Sequence, residues 1–429
     1  MTRCYLLDGR FEEVELGDLG AAAVLLEERR KELHKLDQED IIELLGLMGR
    51  EMIRDPALSA IEGGSYISMW LRKENLRGLC RTNYGGEHML DRFCEVRPGL
   101  EMRAQPRGVS CHWLPNNVAT MSIFSLLMAI LSKNASLLKV SEVSRPVLTA
   151  FLKAMASLTA ETARGPVPGE VIVRTVAMIS FDSSSIKDNE AMSMAADVKI
   201  AWGSGEAVRA VVALPQKETC DTLVFGPKYS LAVFDQAYLS RADLPDALRR
   251  LAIDAALFDQ TACSSPQVVF VEKGERSSRW FAEALAKGFE ALPVRLRSAP
   301  LPEPLSLRVI NARGAYLLDE SRDVVMPKDL GWTVLLDRSP GLPEPVQGRC
   351  VFVREADDLG EVAERITRKV QTVAICIDDP RKRQDFTDKA SYRGVDRFVQ
   401  PGEMNDFTLP WDGLMPLGRM VRWVTIRRK

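Results

Sequence analysis

Histidine is nearly missing from this chain: among 429 residues only His34, His88 and His112 carry an imidazole. They show no H-E-x-x-H or H-x-x-x-H spacing, which argues against a multi-histidine metal site and leaves a histidine triad little to draw on. The eight cysteines, Cys4, Cys80, Cys94, Cys111, Cys220, Cys263, Cys350 and Cys376, include no C-x-x-C pair, so neither a zinc knuckle nor a disulfide framework is indicated. No stretch reaches the roughly 20 apolar residues of a membrane span. Charges at Arg3, Asp8 and Arg10 interrupt the N-terminus too early for a signal-peptide core, so a cytoplasmic protein is expected. A formal charge of −2 and a pI near 6.1 leave no basic field for nucleic acid, and the cluster Arg419, Arg422, Arg427 and Arg428 reads as a solvated face.

What is present is an ordinary globular composition, 46% hydrophobic and 27% charged, long enough for two domains. Apolar residues recur at three- and four-residue spacing over 25–36 and 41–53, which predicts helices there. From Gly108 the texture changes to short apolar runs, at 108–114, 137–140, 171–173, 198–202, 229–234 and 268–271, separated by amphipathic helices. That alternation predicts a parallel α/β sheet. Helices are expected over 122–132 and 145–158, the second with Pro146 in its first turn. A second strand–helix set runs from about Thr222 to about Val395.

Four segments have the residue types for chemistry. Cys263 stands in Phe258-Asp259-Gln260-Thr261-Ala262-Cys263-Ser264-Ser265-Pro266-Gln267, between a helix and an apolar strand, where small neighbours leave room beside the sulfur. An arbitrary cysteine is more often buried packing. Pro115-Asn116-Asn117-Val118 ends a strand before an apolar helix, and an amide placed there can donate to an oxyanion, although Pro-Asn-Asn is also a common turn. Lys139 lies near the end of the short run at 137–140, and Ser141 and Glu142 follow it, at the carboxyl end of an expected strand, where ligands of open α/β sheets collect. Gly203-Ser204-Gly205 joins a strand to a helix whose N-terminus suits a pyrophosphate, though the turn is not a full G-x-G-x-x-G. His112 and Trp113 are equally well read as core residues, with Cys111 on the opposite sheet face.

The order of these segments resembles the aldehyde dehydrogenase superfamily, and within it the LuxC-type acyl-CoA reductase (fatty acid reductase) family. The marks that carry the resemblance are Gln260-x-x-Cys263-Ser264-Ser265-Pro266-Gln267, Pro115-x-Asn117-Val118, and the tail Pro410-Trp411-Asp412-Gly413 with Val421-Arg422-Trp423-Val424. It covers the chain from about Gly108 onward. It implies an α/β fold in three parts: an N-terminal helical region with a Rossmann-type cofactor domain over 1–220, a catalytic cysteine domain over 221–395, and a C-terminal return segment over 396–429 that packs on the first domain or on a dimer partner.

The resemblance also implies the roles. Cys263 is the nucleophile, Asn117 the oxyanion donor, Lys139 and Glu142 contacts to the adenosine ribose, with Ser141 beside Lys139 for a 2′-phosphate, and Gly203-Ser204 the pyrophosphate turn. The expected reaction is NAD(P)H-dependent reduction of an acyl-CoA or acyl-carrier-protein thioester to an aldehyde, with NADPH preferred and NADH possible. A homo-oligomer and an acyl-transferring partner enzyme belong to the same expectation. The alternatives are a CoA-acylating aldehyde dehydrogenase running oxidatively and a non-catalytic scaffold. Relatives that oxidise aldehydes to acids carry a glutamate in Glu-Leu-Gly-Gly-Lys; the corresponding stretch here is Val224-Phe225-Gly226-Pro227-Lys228, so the base position is apolar. The nearest candidate for the family's Glu-x-Phe-Gly-Pro ribose-binding run is the poor match Lys328-Asp329-Leu330-Gly331-Trp332.

Overall fold

The computed structural model describes residues 1–428. The chain divides into two compact units, 1–226 with the stretch from Phe407 onward, and 227–406. The first boundary lies at Gly226 and not at 220, because Asp221–Phe225 is a strand that pairs in parallel with Val198–Trp202 and completes the first sheet. The second lies at Asp406 and not at 395, because Arg397–Val399 pairs with Val370–Cys376 in the second sheet.

After two short strands the first unit continues with two long helices, Leu19–Lys35 and Gln38–Arg54. Asp18 accepts from the Gly20 N–H to start one, and Asp37 with Asp40 forms a reciprocal box that starts the other. The seven-stranded sheet runs Asp221–Phe225, Val198–Trp202, Val109–Trp113, Ala135–Lys139, Val176–Ser180, Arg3–Leu6, Val14–Glu15. Its first five strands are parallel and the last two antiparallel. Both faces of Val109–Trp113 and Val198–Trp202 are buried, as central parallel strands require, and the polar Ser110, His112 and Lys199 are buried with them. Helix Ala119–Leu131 is buried almost all round, as its sequence of apolar and hydroxyl residues allows.

Two expectations are corrected in this unit. The run 171–173 is no strand: it lies in the short helix Glu170–Val173, and the strand is Val176–Ser180. A short β-branched run satisfies either geometry provided it is buried, and Ile172 and Val173 are buried as helix. The first hundred residues are not only helical, because Arg3–Leu6 adds to the main sheet and Cys94–Arg97 and Leu100–Pro106 form a smaller one with Val421–Arg427. The C-terminal return is thus a strand of the first unit. Phe407 and Trp411, with ring centroids 4.6 Å apart, extend it inward, and Phe407 stacks on Phe124 at 4.3 Å.

The second unit is a sheet ordered Asp323–Val325, Thr333–Asp337, Cys350–Ala356, Pro266–Glu272, Tyr229–Phe234, Val370–Cys376, Arg397–Val399. All neighbours are parallel except the first pair. Side chains alternate across it: Val269 and Val271 join a core with Leu248, Leu251, Phe281 and Phe289, while Val268 and Phe270 join one with Val309, Phe386 and Ala390.

Candidate active site

In the first unit the expected cofactor residues share one sheet edge. The register sets Trp113 beside Lys139 and Ala201, Lys139 beside Ile179, and Ala201 beside Val224. The carboxyl ends of five strands therefore lie side by side, followed by Asn117, Lys139 to Glu142, Asp182–Ser183 and Gly203–Ser204. Asn117 is exposed in the bend before helix Ala119–Leu131. Lys139 lies over the Phe181 ring at 4.3 Å and donates to the Ser183 hydroxyl at 3.3 Å. Burial lowers its pKa, with Asp182 and Asp188 opposing. Ser141 and Ser144 exchange side-chain and backbone bonds at 2.9 and 3.2 Å, which starts helix Ser144–Ser157. Glu142 is an exposed partner of Arg145 at 2.6 Å, and Arg145 in turn covers the Tyr5 ring. Gly203 has φ +145°, where an added Cβ would meet the Ala207 Cβ at 3.3 Å, and Ser204 caps helix Gly205–Ala213 through the Ala207 N–H. A dinucleotide fits this edge by its chemistry: a lysine for hydroxyl or phosphate oxygens, and a side-chain-free turn opening a helix.

His112 is wired into the interior. Its Nε2 lies 2.9 Å from the Ser110 hydroxyl, which donates onward to the Ala135 carbonyl and so must accept from the ring. That leaves Nδ1 to accept from Ser125 at 2.8 Å, while Ser125 accepts from the Trp202 indole at 3.0 Å. Burial lowers the imidazole pKa to about 3, so the ring is neutral and structural. Cys111 lies on the opposite face, in the core with Val109 and Trp113. The Trp113 indole is held by Asn189 at 2.9 Å.

Cys263 belongs to the second unit, in a turn that opens strand Pro266–Glu272. It is half-buried, and none of the eight cysteines is in a disulfide. The chain reaches it through three consecutive left-handed residues, Phe258, Asp259 and Gln260, at φ 54°, 48° and 62°. Non-glycine residues in this region cost on the order of 1 kcal/mol or more each and persist only where surrounding contacts hold them. A second left-handed stretch, Gln347, Gly348 and Arg349, packs against the first: the Gly348 N–H donates to the Asp259 carbonyl at 2.8 Å, and Arg349 pairs with Asp259 at 3.2 Å. Burial raises the Asp259 pKa and Arg349 opposes it. The buried Gln260 amide accepts from the Cys350 N–H at 2.7 Å and donates to the carbonyls of Pro266 and Cys350 at 2.7 and 3.0 Å. Ser230 donates to the Cys263 carbonyl at 2.8 Å.

Gln260, Ser264 and Ser265 were visible as part of the cysteine motif. Ser230, Arg349 and Asn405, which hold the same turn from elsewhere, carry no local signal. Lys328–Trp332 is a structural segment: Arg313 donates to the carbonyls of Asp329 and Trp332 at 2.7 and 2.8 Å, and Trp332 stacks on Phe289. Among the described residues no group of three or more His, Cys, Asp or Glu could hold a metal ion, and no helix is long and apolar enough to cross a membrane.

This architecture is that of solved aldehyde dehydrogenases. The chain matches the NAD-dependent benzaldehyde dehydrogenase of Corynebacterium glutamicum with a TM-score of 0.65 at 16% identity, over 100% of this chain and 94% of that one. It matches the Thermus 1-pyrroline-5-carboxylate dehydrogenase with bound NAD at a TM-score of 0.67 and 14% identity, over 100% and 90%. The protein therefore has an aldehyde-dehydrogenase-like α/β fold. Within that class the acyl-CoA reductase (LuxC) family model matches residues 27–423, and the chain belongs to this oxidoreductase family. The long-chain acyl-protein thioester reductase of Aliivibrio fischeri is 26% identical over 385 residues, 85% of this chain and 73% of that protein. The Vibrio harveyi protein of the same name is 27% identical over 380 residues, 87% and 75%.

Proposed function

We propose that this protein reduces an acyl thioester to an aldehyde through an acyl group carried on Cys263. What supports the reading most is the build of the Cys263 turn: a half-buried thiol beside small residues, on a backbone whose left-handed approach is maintained by buried side chains. Strain held at one turn in this way is spent where geometry matters. Cys263 thiolate attacks the thioester carbonyl, the backbone N–H of Cys263 and the Asn117 amide take the oxyanion, and the thiol carrier leaves. Bound reduced nicotinamide supplies the hydride that converts the acyl group to the aldehyde. Lys139, Ser141, Glu142, Gly203 and Ser204 bind and orient that cofactor. NADPH is the assigned form, because Lys139 suits a 2′-phosphate and Arg145 offsets the Glu142 charge that would repel it.

The apolar Val224 completes the reading. By the family resemblance it stands where oxidising relatives carry their glutamate and brings no general base, so water attacks the acyl-enzyme slowly and the intermediate survives until reduction. The donor is an acyl-CoA or an acyl group on a carrier protein, delivered by a partner enzyme in the second case, and the outer edge of Val421–Arg427 serves a homo-oligomer. The decisive experiment is anaerobic incubation with a panel of acyl-CoA and acyl-carrier-protein thioesters. NADPH and NADH consumption, aldehyde release and the mass of an acyl adduct on Cys263 are followed together. Cofactor consumption with no adduct on Cys263 overturns the mechanism.

A further inference from the structure

One side chain ties the loop at residues 400–405 to the Cys263 turn. Asn405, 8% exposed, accepts at Oδ1 from the Ser264 hydroxyl at 2.8 Å, and the Ser265 hydroxyl reaches the same oxygen at 3.5 Å. Its Nδ2 donates at 2.9 Å to the backbone carbonyl of Asp254, in the last turn of helix Leu244–Ala256. The loop is itself held twice more. The Gly402 N–H donates to the Asp254 carboxyl at 2.6 Å, and the Arg397 guanidinium donates to the carbonyls of Glu403 and Met404 at 3.4 Å each.

This arrangement uses both halves of one amide for different work. The oxygen receives the side chain that directly follows the reactive cysteine, and the nitrogen anchors on the helix that precedes it. From the other side the Ser230 hydroxyl holds the Cys263 carbonyl, and the Thr372 N–H donates to Ser230 at 3.3 Å. The Cys263–Ser264 peptide is thus gripped through its carbonyl and through the adjoining hydroxyl. Holding that peptide restrains ψ of Cys263, and so limits the directions in which Cα–Cβ can carry the sulfur. Aspartate could accept from Ser264 but would set an acceptor against the Asp254 carbonyl, and an aliphatic residue could do neither.

We propose that Asn405 is the positioning residue of Cys263: the relay Ser264–Asn405–Asp254 holds the sulfur on the line of attack toward a thioester carbonyl. The proposal rests on the reading of Cys263 as nucleophile. Asn405 needs no contact with substrate, and its contribution lies in the rate of acyl transfer and not in affinity.

The test uses the full-length protein and the variants Asn405→Ala, Ser264→Ala and the double variant, with Cys263→Ala in parallel. Acyl-adduct formation from acyl-CoA without cofactor is timed by intact mass, alkylation of Cys263 by iodoacetamide is timed on the same samples, and kcat and KM are measured with NADPH. Each single variant is expected to slow acylation by about tenfold or more, the scale on which small misplacements of a reacting group act. Alkylation by the small reagent should stay within about twofold, and KM for acyl-CoA should hold while kcat falls. The double variant should be no slower than the slower single, because both remove one relay. Wild-type acylation in folded Asn405→Ala, or multiplicative losses in the double variant, overturns the proposal. If Asn405→Ala does not fold, Ser264→Ala decides alone, and a wild-type acylation rate there overturns it equally. An acyl adduct that persists in Cys263→Ala overturns the nucleophile reading itself, whereas its loss there beside normal acylation in Asn405→Ala overturns only the positioning role.

Discussion

The two mostly parallel sheets carry their candidate residues at opposite ends of their own strands. In the first unit Asn117, Lys139 and Gly203-Ser204 follow the carboxyl ends of strands, and helices Ala119–Leu131, Ser144–Ser157 and Gly205–Ala213 begin just beyond them. Helix N-termini present unpaired N–H groups and a positive dipole end, so this edge favours anions before any side chain is chosen. In the second unit Cys263 precedes strand Pro266–Glu272 and follows the C-terminal end of helix Leu244–Ala256. A helix C-terminus disfavours a nearby thiolate. The cysteine therefore depends on its turn, and the turn on side chains brought from Ser230, Arg349 and Asn405. One edge is built from local turn chemistry; the other is assembled from distant residues.

The largest expected break in this contrast is Cys263→Ala. It should abolish acyl-adduct formation and reduction while leaving NADPH titration of the first unit's edge unchanged, as read by intact mass and nucleotide fluorescence. Asn117→Ala should lower turnover about a hundredfold, the size of one lost oxyanion donor, with cofactor affinity intact. A comparable gain is expected from Val224→Glu, where a carboxylate should speed hydrolysis of the acyl-enzyme by on the order of a hundredfold in the absence of cofactor, measured as free-thiol release. Burial would raise that carboxyl's pKa, so the gain should grow toward alkaline pH.

Smaller effects sharpen the comparison. Gly203→Ala forces a Cβ at φ +145° against Ala207, and should raise the cofactor dissociation constant by roughly tenfold while leaving iodoacetamide labelling of Cys263 unchanged. The smallest effect concerns Asp254. Burial raises its pKa to about 8, with Asp406 and Glu403 pushing the same way and the Gly402 N–H opposing. The folded form keeps a proton that the unfolded chain loses near pH 4, so this group's contribution to stability falls as pH rises from about 4 to about 8 and is level above that. Asp254→Asn has no such titration. Its melting temperature relative to wild type should rise between about pH 5 and pH 8; a constant difference would show that Asp254 is ionised in the folded protein.

Much of the first unit was legible residue by residue. The strand at 198–202 and its glycine turn are contiguous, and the first two helices show in the apolar spacing over 25–36 and 41–53, although Asp18 and Asp37 start them earlier, at Leu19 and Gln38. The misreadings came where a short apolar stretch had no companion signal: the run at 171–173 has the composition of a strand, and only the pairing of Val176–Ser180 with Ala135–Lys139 puts the strand further along. Arg3–Leu6 is too short to announce itself beside long helices, yet it closes on Val176–Ser180.

The Cys263 region divides the same way. The motif around Cys263 could be read from ten consecutive residues, because small side chains, a helix end and a strand start are local facts about a chain. Its support could not. The Gln260 amide meets the backbone of Cys350, and the Asn405 amide meets Asp254 and Ser264, across separations of 90 to 151 residues. Amides and hydroxyls look alike in a sequence wherever they stand, and it is the closing of parallel strands side by side that selects which of them become partners of the cysteine turn.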